Sequence, residues 1–170
     1  MKGKAALIFA ACVSLATVWA QNQKTELKAS SESPDKLKQE FFAIIRNGES
    51  DKFLSYVSAG GVNVGSTPEH LRRSDVEQQL DQHTGLYCKV FDSSCLQAPI
   101  NLGNSARACS YREALTHSPN ARLAATDTVR NGVHQAILVA QVSNDECPGI
   151  KLIDFIFNEQ SDGWKLFSVP

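Results

Sequence analysis

Apolar positions along the chain change their spacing twice, and each change marks a boundary. From Ala5 to Ala16 they run almost unbroken. From 34 to 83 they recur three and four residues apart, as on one face of a helix; from 121 onward they form short runs between turn signals, as in strands. Ser33-Pro34-Asp35 supplies an N-cap, a proline at the first helical position and an acid in the first turn. Leu37, Phe41, Ile44 and Ile45 then make one face apolar, and Gly48 is a natural stop, so a first helix is predicted over 34–47. Ser50 is positioned to cap a short second helix carrying Phe53, Leu54 and Val57, which ends before Gly60-Gly61. Val62 and Val64 read as a short strand. Ser74-Asp75-Val76-Glu77 has the spacing of a capping box, and it predicts a third helix with Val76 and Leu80 inward, ending near His83.

Four strands are predicted after 121. Leu123–Val129 and Val133–Val142 flank Asn131-Gly132, the strongest short hairpin signal because both residues tolerate positive φ. Ile150–Phe157 follows a break at 144–149, and Trp164–Val169 follows Asp162-Gly163. Short turns between consecutive strands predict an antiparallel meander. Helices first and strands after make the fold class α+β, with three N-terminal helices packed on a curved sheet. Residues 84–120 hold few periodic positions and read as an irregular, cysteine-bearing insertion, with one strand near 86–91.

The first apolar run has a different meaning. Lys2 and Lys4 precede it and Val18-Trp19-Ala20 closes it, a secretory signal pattern with cleavage after Ala20, before Gln21. A membrane anchor needs about 20 apolar residues, and this run stops too early. A minor alternative is a lipoprotein acylated at Cys12, after Ala10-Ala11. Residues 21–33 are polar and aperiodic and read as a flexible leader, which leaves 34–170 as one domain. A chain of that size buries about 70% of its unfolded surface and folds without a metal. Removing Lys2 and Lys4 from the 17 basic side chains leaves 15 against 18 acidic, a formal charge of −3. No basic cluster is dense enough for nucleic acid, and no second apolar run spans a membrane. Export to the periplasm or the medium is expected.

Four cysteines outlast the signal: Cys88, Cys95, Cys109 and Cys147. Their spacings lack the tight pairs and neighbouring histidines of a zinc site, so disulfides are favoured. Three pairings are open. The reading adopted is Cys88–Cys95, a small loop, with Cys109–Cys147 tying the irregular middle to the C-terminal sheet.

Three stretches carry a family resemblance. Gly48-Glu49-Ser50-Asp51-Lys52-Phe53-Leu54 joins two helices through a small-residue break. Gly61-Val62-Asn63-Val64-Gly65 precedes Ser74-Asp75-Val76-Glu77-Gln78-Gln79-Leu80 as strand before helix. Asp162-Gly163-Trp164-Lys165-Leu166-Phe167 forms the closing strand. Over 34–83 and 121–169 the chain resembles the NTF2-like (nuclear transport factor 2-like) superfamily, which includes ketosteroid isomerases and SnoaL-type cyclases. The resemblance implies a cone in which a curved sheet closes around a pocket, with the cysteine-bearing middle a departure from the pattern. It implies no particular reaction, because such folds carry enzymes and inert binding domains alike.

Candidate chemistry is sparse. Asp154 shares strand parity with Ile150, Leu152 and Ile156, and a buried acid among apolar neighbours has a raised pKa. The resemblance implies that this face lines a pocket, where Asp154 serves as acid or base. His134 and Asp127 flank the Asn-Gly turn and are placed to meet across it as a His–Asp pair. Tyr56 and Tyr87 are candidates to donate hydrogen bonds into a pocket, although core packing explains them equally well. His83 beside Asp81 suits a helix C-terminus, and His70 and His117 lack a partner in the sequence pattern. No Gly-x-Ser-x-Gly elbow, dinucleotide fingerprint or metal-ligand spacing occurs, so neither cofactor nor metal is expected.

The expected function is therefore non-catalytic binding of a small apolar ligand or a partner protein. The alternatives are an isomerase, cyclase or hydrolase using Asp154, and an envelope structural or assembly protein that dimerises through the sheet face. The N-terminal reading has a direct check: N-terminal peptide mass mapping of the exported protein is expected to find a chain starting at Gln21 or its pyroglutamate form, and an intact Met1 terminus would refute cleavage.

Overall fold

A computed structural model describes residues 32–65, 69–96, 108–143 and 145–170, so the signal segment and most of the leader lie outside the described residues. Helix α1 spans Pro34–Asn47 as its pattern predicts. The Ser33 hydroxyl accepts the Lys36 amide at 3.3 Å, and Gly48 ends the helix at φ 73°, a left-handed conformation that glycine adopts at little cost. A side chain at Gly48 would also crowd the Arg112 guanidinium, 2.9 Å from where a Cβ would stand. Leu37, Phe41, Phe42 and Ile45 of α1 are fully buried. The leader is anchored at its end, because the Glu32 carbonyl accepts the Trp164 indole N–H at 2.9 Å.

Two helix starts differ from expectation. Helix α2 spans Ser50–Tyr56, with Glu49 at the cap position and Ser50 already helical. Helix α3 spans Arg73–Asp81. It begins earlier than the Ser74–Glu77 box implies, because Asp75 takes the role assigned to Glu77. The Asp75 carboxylate accepts the Arg72 amide at 3.2 Å and is gripped by the Arg72 guanidinium at 3.0 and 3.1 Å, which holds its pKa below the usual range.

Described residues of the cysteine-bearing middle reach the core: Leu86, Val90, Phe91, Ala114 and Leu115 are buried. Helix α4, Leu86–Val90, stands where a strand was expected. Leu86, Cys88 and Val90 are buried, a period of two on paper, so the pattern is ambiguous over so short a run. The helix wins because the Gln79 side chain accepts the Leu86 amide at 2.7 Å, and because the Cys88–Cys95 disulfide folds the chain back through a 3₁₀ turn at Ser93–Cys95. Helix α5, Tyr111–Thr116, opens on a reciprocal capping box. The Ser110 hydroxyl accepts the Glu113 amide at 3.2 Å, and the Glu113 carboxylate accepts the Ser110 amide at 3.0 Å.

Among the described residues six strands form one sheet: β1 (Val62–Val64), β2 (Glu69–Leu71), β3 (Arg122–Arg130), β4 (Val133–Gln141), β5 (Leu152–Gln160) and β6 (Gly163–Val169). Their order is β2-β1-β6-β5-β4-β3. The meander from β3 to β6 is antiparallel, and its first turn is Asn131-Gly132 with both residues at positive φ. The sheet as a whole is mixed, because β1 runs parallel to β6 through Asn63↔Ser168 and Val64↔Val169. An all-antiparallel sheet is thus corrected to a curved mixed one, within the α+β class.

Helices and sheet meet through rings. Phe41 of α1 packs edge-on against Phe155 at 4.9 Å and Phe157 at 4.8 Å between centroids, and also against Phe53 and Tyr56 of α2. Ile153, Phe155 and Phe157 on β5 and Ala136, Leu138 and Ala140 on β4 present the same buried face. The second disulfide, Cys109–Cys147, ties the approach to α5 to the β4–β5 connection. The two bridges close loops with sequence separations of 7 and 38 residues. Loop-closure entropy then assigns them about 2.5 and about 4 kcal/mol. Urea denaturation is expected to show Cys109→Ala/Cys147→Ala losing about 1 kcal/mol more than Cys88→Ala/Cys95→Ala; the reverse order would show that native-state strain outweighs chain entropy.

Candidate functional site

The inward parity of β4 does not end with the core. His134 stands on the same side of the strand as Ala136 and Leu138, but at the hairpin end, beyond the buried run. Val129 is its direct partner on β3, and Asp127, opposite Ala136, is its diagonal neighbour. His134 Nε2 is paired with Asp127 Oδ1. On the other side, His134 Nδ1 lies 2.5 Å from Glu159 Oε2 of β5. Trp164, opposite Glu159 on β6, brings its ring to 5.2 Å from the imidazole. The His134 side chain is 38% exposed, Asp127 53% and Glu159 14%, so the cluster sits at the rim of the sheet's inner face.

The structure therefore brings His134 and Asp127 together and adds Glu159 and Trp164, which the sequence pattern did not single out. Ring nitrogens that both face carboxylates both carry protons, so the arrangement favours an imidazolium. The hydrogen bond to Glu159 is the main cause of a raised His134 pKa, with that to Asp127 adding. Such a histidine has no lone pair with which to take a proton from a substrate. Nor do the two carboxylates converge on one ion, since they approach opposite ring nitrogens. Among the described residues no group of three or more His, Cys, Asp or Glu is arranged to hold a metal.

The three residues expected to share a pocket are separated. Asp154 lies opposite Val139 on the face of β5 turned away from Phe155 and α1, and it is half-buried. Tyr56 lines a groove of about 400 Å³ with Glu40, Asn47 and Lys52. Burial pushes its phenol up to about 12, with the charges of Glu32 and Glu40 adding. Tyr87 lines a different groove of about 400 Å³ with Arg46, Phe91 and Arg112, and its ring stacks on His83 at 4.2 Å. A larger groove of about 760 Å³ lies at the rim near Ser118, Arg122 and Lys151. Asp154 lines none of these three. The buried phenol of Tyr111 donates to the Pro170 carbonyl at 2.9 Å; burial raises its pKa, and the charge of Asp154 adds to the rise.

The remaining histidines are explained locally. His70 contacts the Gly60 carbonyl at 2.9 Å and the Asn63 side chain at 3.2 Å, and His117 pairs with Glu146 at 2.7 Å. No family model, curated protein or solved structure matches this chain.

The His134 cluster gives stability a defined pH dependence. Its folded pKa lies above the unfolded value of 6.5, so its contribution is fully present below that pH and is lost as pH rises through the folded pKa. Thermal unfolding of wild type and His134→Gln is expected to differ more at pH 5 than at pH 9. An equal gap at both values would show that the ring contributes by packing alone.

Proposed function

We propose that the chain is an exported, non-catalytic binding domain of NTF2-like build that meets its ligand or partner at its surface. The single observation carrying this reading is the aromatic interior. Phe41, Phe42, Phe53, Phe155 and Phe157 are fully buried, and their edge contacts occupy the space between helices and sheet in which the resemblance implies a pocket. An interior filled by such rings supports a reading in which the ligand or partner is met outside it. The reading adopted is recognition at the open grooves and rim.

Two further observations weigh against an enzyme working through the residues singled out in the sequence. Both ring nitrogens of His134 are occupied by carboxylates, and Asp154 faces away from the helix-covered side. Export is supported by the Cys88–Cys95 and Cys109–Cys147 bridges, which persist in oxidising compartments. Among the described residues no helix is long and apolar enough to cross a membrane. A second reading, assembly through the outer sheet face, is favoured by half-buried Ile137, Val139 and Ile156 beside Leu152, which is 57% exposed.

Native mass spectrometry of protein purified from its source separates these readings. The expected result is a stoichiometric ligand or protein companion that is absent from the refolded chain. A bare homodimer would favour assembly instead. Turnover of an isomerase, cyclase or hydrolase substrate that Asp154→Asn or His134→Gln abolishes would overturn the proposal.

A further inference from the structure

The groove beside Tyr87 has the parts of an anion site, and the way its charges are tied explains why. Arg46 belongs to the last turn of α1, and Arg112 to the first turn of α5. Arg112 Nε donates to the Arg46 carbonyl at 3.2 Å, and its guanidinium lies beside Gly48, where no side chain displaces it. The negative end of the α1 dipole favours a cation at this position. That hydrogen bond holds the guanidinium through Nε, and among the described residues its Nη donors make no hydrogen bond. Among the described residues neither Arg46 nor Arg112 makes an ion pair within 4.0 Å.

Two acids line the same groove, Asp92 and Glu113, and each also bonds the backbone at a helix start. Asp92 Oδ1 accepts the Ser94 amide at 2.9 Å, capping the 3₁₀ turn. Glu113 Oε2 accepts the Ser110 amide at 3.0 Å, completing the α5 capping box. Both carboxylates keep their charge, and after the bonds to Ser94 the charges of His83 and Arg112 help to hold the Asp92 pKa low. Among the described residues no guanidinium is bridged directly to either acid, so the groove offers guanidinium donors beside two capped acids. Phe91, 2% exposed, and the half-buried Tyr87 ring supply an apolar wall, their centroids 5.6 Å apart.

We infer that this groove binds a small carboxylic acid with a flat apolar body, its carboxylate held by Arg46 and Arg112 and its body laid against Phe91 and Tyr87. Guanidinium forks match a carboxylate in geometry. The acids nearby disfavour a doubly charged phosphate, so a monoanion is the better occupant. The inference rests on the surface-binding reading above and gives it a site and a ligand class.

Sodium benzoate is the probe, titrated into the full chain and followed by amide and aromatic NMR shifts, with benzamide and inorganic phosphate as parallel arms. Benzoate is expected to saturate while shifting Tyr87 and Phe91, with benzamide and phosphate each at least about 10-fold weaker, the size of one lost charge-assisted hydrogen bond. Arg46→Gln and Arg112→Gln are each expected to weaken benzoate by about 10-fold. Arg112 also crosses the α1 terminus, so far-UV circular dichroism checks that variant, and Arg46→Gln tests the site without touching the capping contact. Equal binding of benzoate and benzamide, phosphate as tight as benzoate, unchanged affinity in Arg46→Gln, or no saturation by benzoate would each overturn the inference. A native companion found on protein that ignores benzoate would remove this groove and leave the surface-binding reading intact.

Discussion

The edge contact of Phe41 with Phe155 and Phe157 is the joint on which the fold depends. α1 reaches the sheet through that ring, and α2 reaches it through the same ring by way of Phe53 and Tyr56. α4 joins one step further out, where Phe91 meets Phe53, and α5 docks through Tyr111 onto Phe155. Edge-to-face pairs contribute about 0.5–1.5 kcal/mol each beyond their buried area, and they fix angles as well as distances. Helix positions are therefore coupled. A change at Phe41 would loosen several interfaces together.

A core assembled this way has consequences for where chemistry sits. Rings that meet edge-on fill volume, so the inner sheet face offers little space except at its uncovered end. Polar groups accumulate there and along the helix termini. His134 collects its two carboxylates at the hairpin end, and Arg112 crosses the end of α1. Both arrangements begin as structural solutions, one to a charged ring and one to exposed helix carbonyls. They differ in what remains. The imidazole has no free nitrogen after its contacts are made, whereas the guanidinium keeps donors to spare. That difference makes the Arg46–Arg112 groove the better binding surface, although histidine is the residue type more often associated with chemistry.

Legibility followed the range of the determining interaction. α1 was readable in full because Ser33, Pro34 and Gly48 act within a few residues of the helix they bound. The β3–β4 register was readable because Asn131-Gly132 permits a two-residue turn, and that register alone places Asp127 near His134. Glu159 was not readable, since the connection between β4 and β5 is long and leaves their register open until the Ala136↔Phe157 and Leu138↔Phe155 pairs are packed. β1 beside β6 is a pairing across about a hundred residues, which no local pattern encodes. α5 is a different case: Ser110-Tyr111-Arg112-Glu113 is a capping box visible in the sequence, obscured by the irregular residues around it.

Asp154 shows how parity can be read correctly and still leave the face undecided. Alternation places it with Leu152 and Ile156, and that grouping holds. Both faces of β5 are apolar, however, so parity does not say which one the helices cover. The choice is made by size and shape. Phe155 and Phe157 offer rings that Phe41 can meet edge-on, while Ile156 offers a branched aliphatic surface paired with Ile137 across the sheet. The helix takes the aromatic face, and the aspartate goes with the other. An acid on that face keeps solvent within reach and never has to be accommodated in the core. By the same step the inward face receives no acid until Glu159, at the uncovered end, where His134 is at hand to meet it.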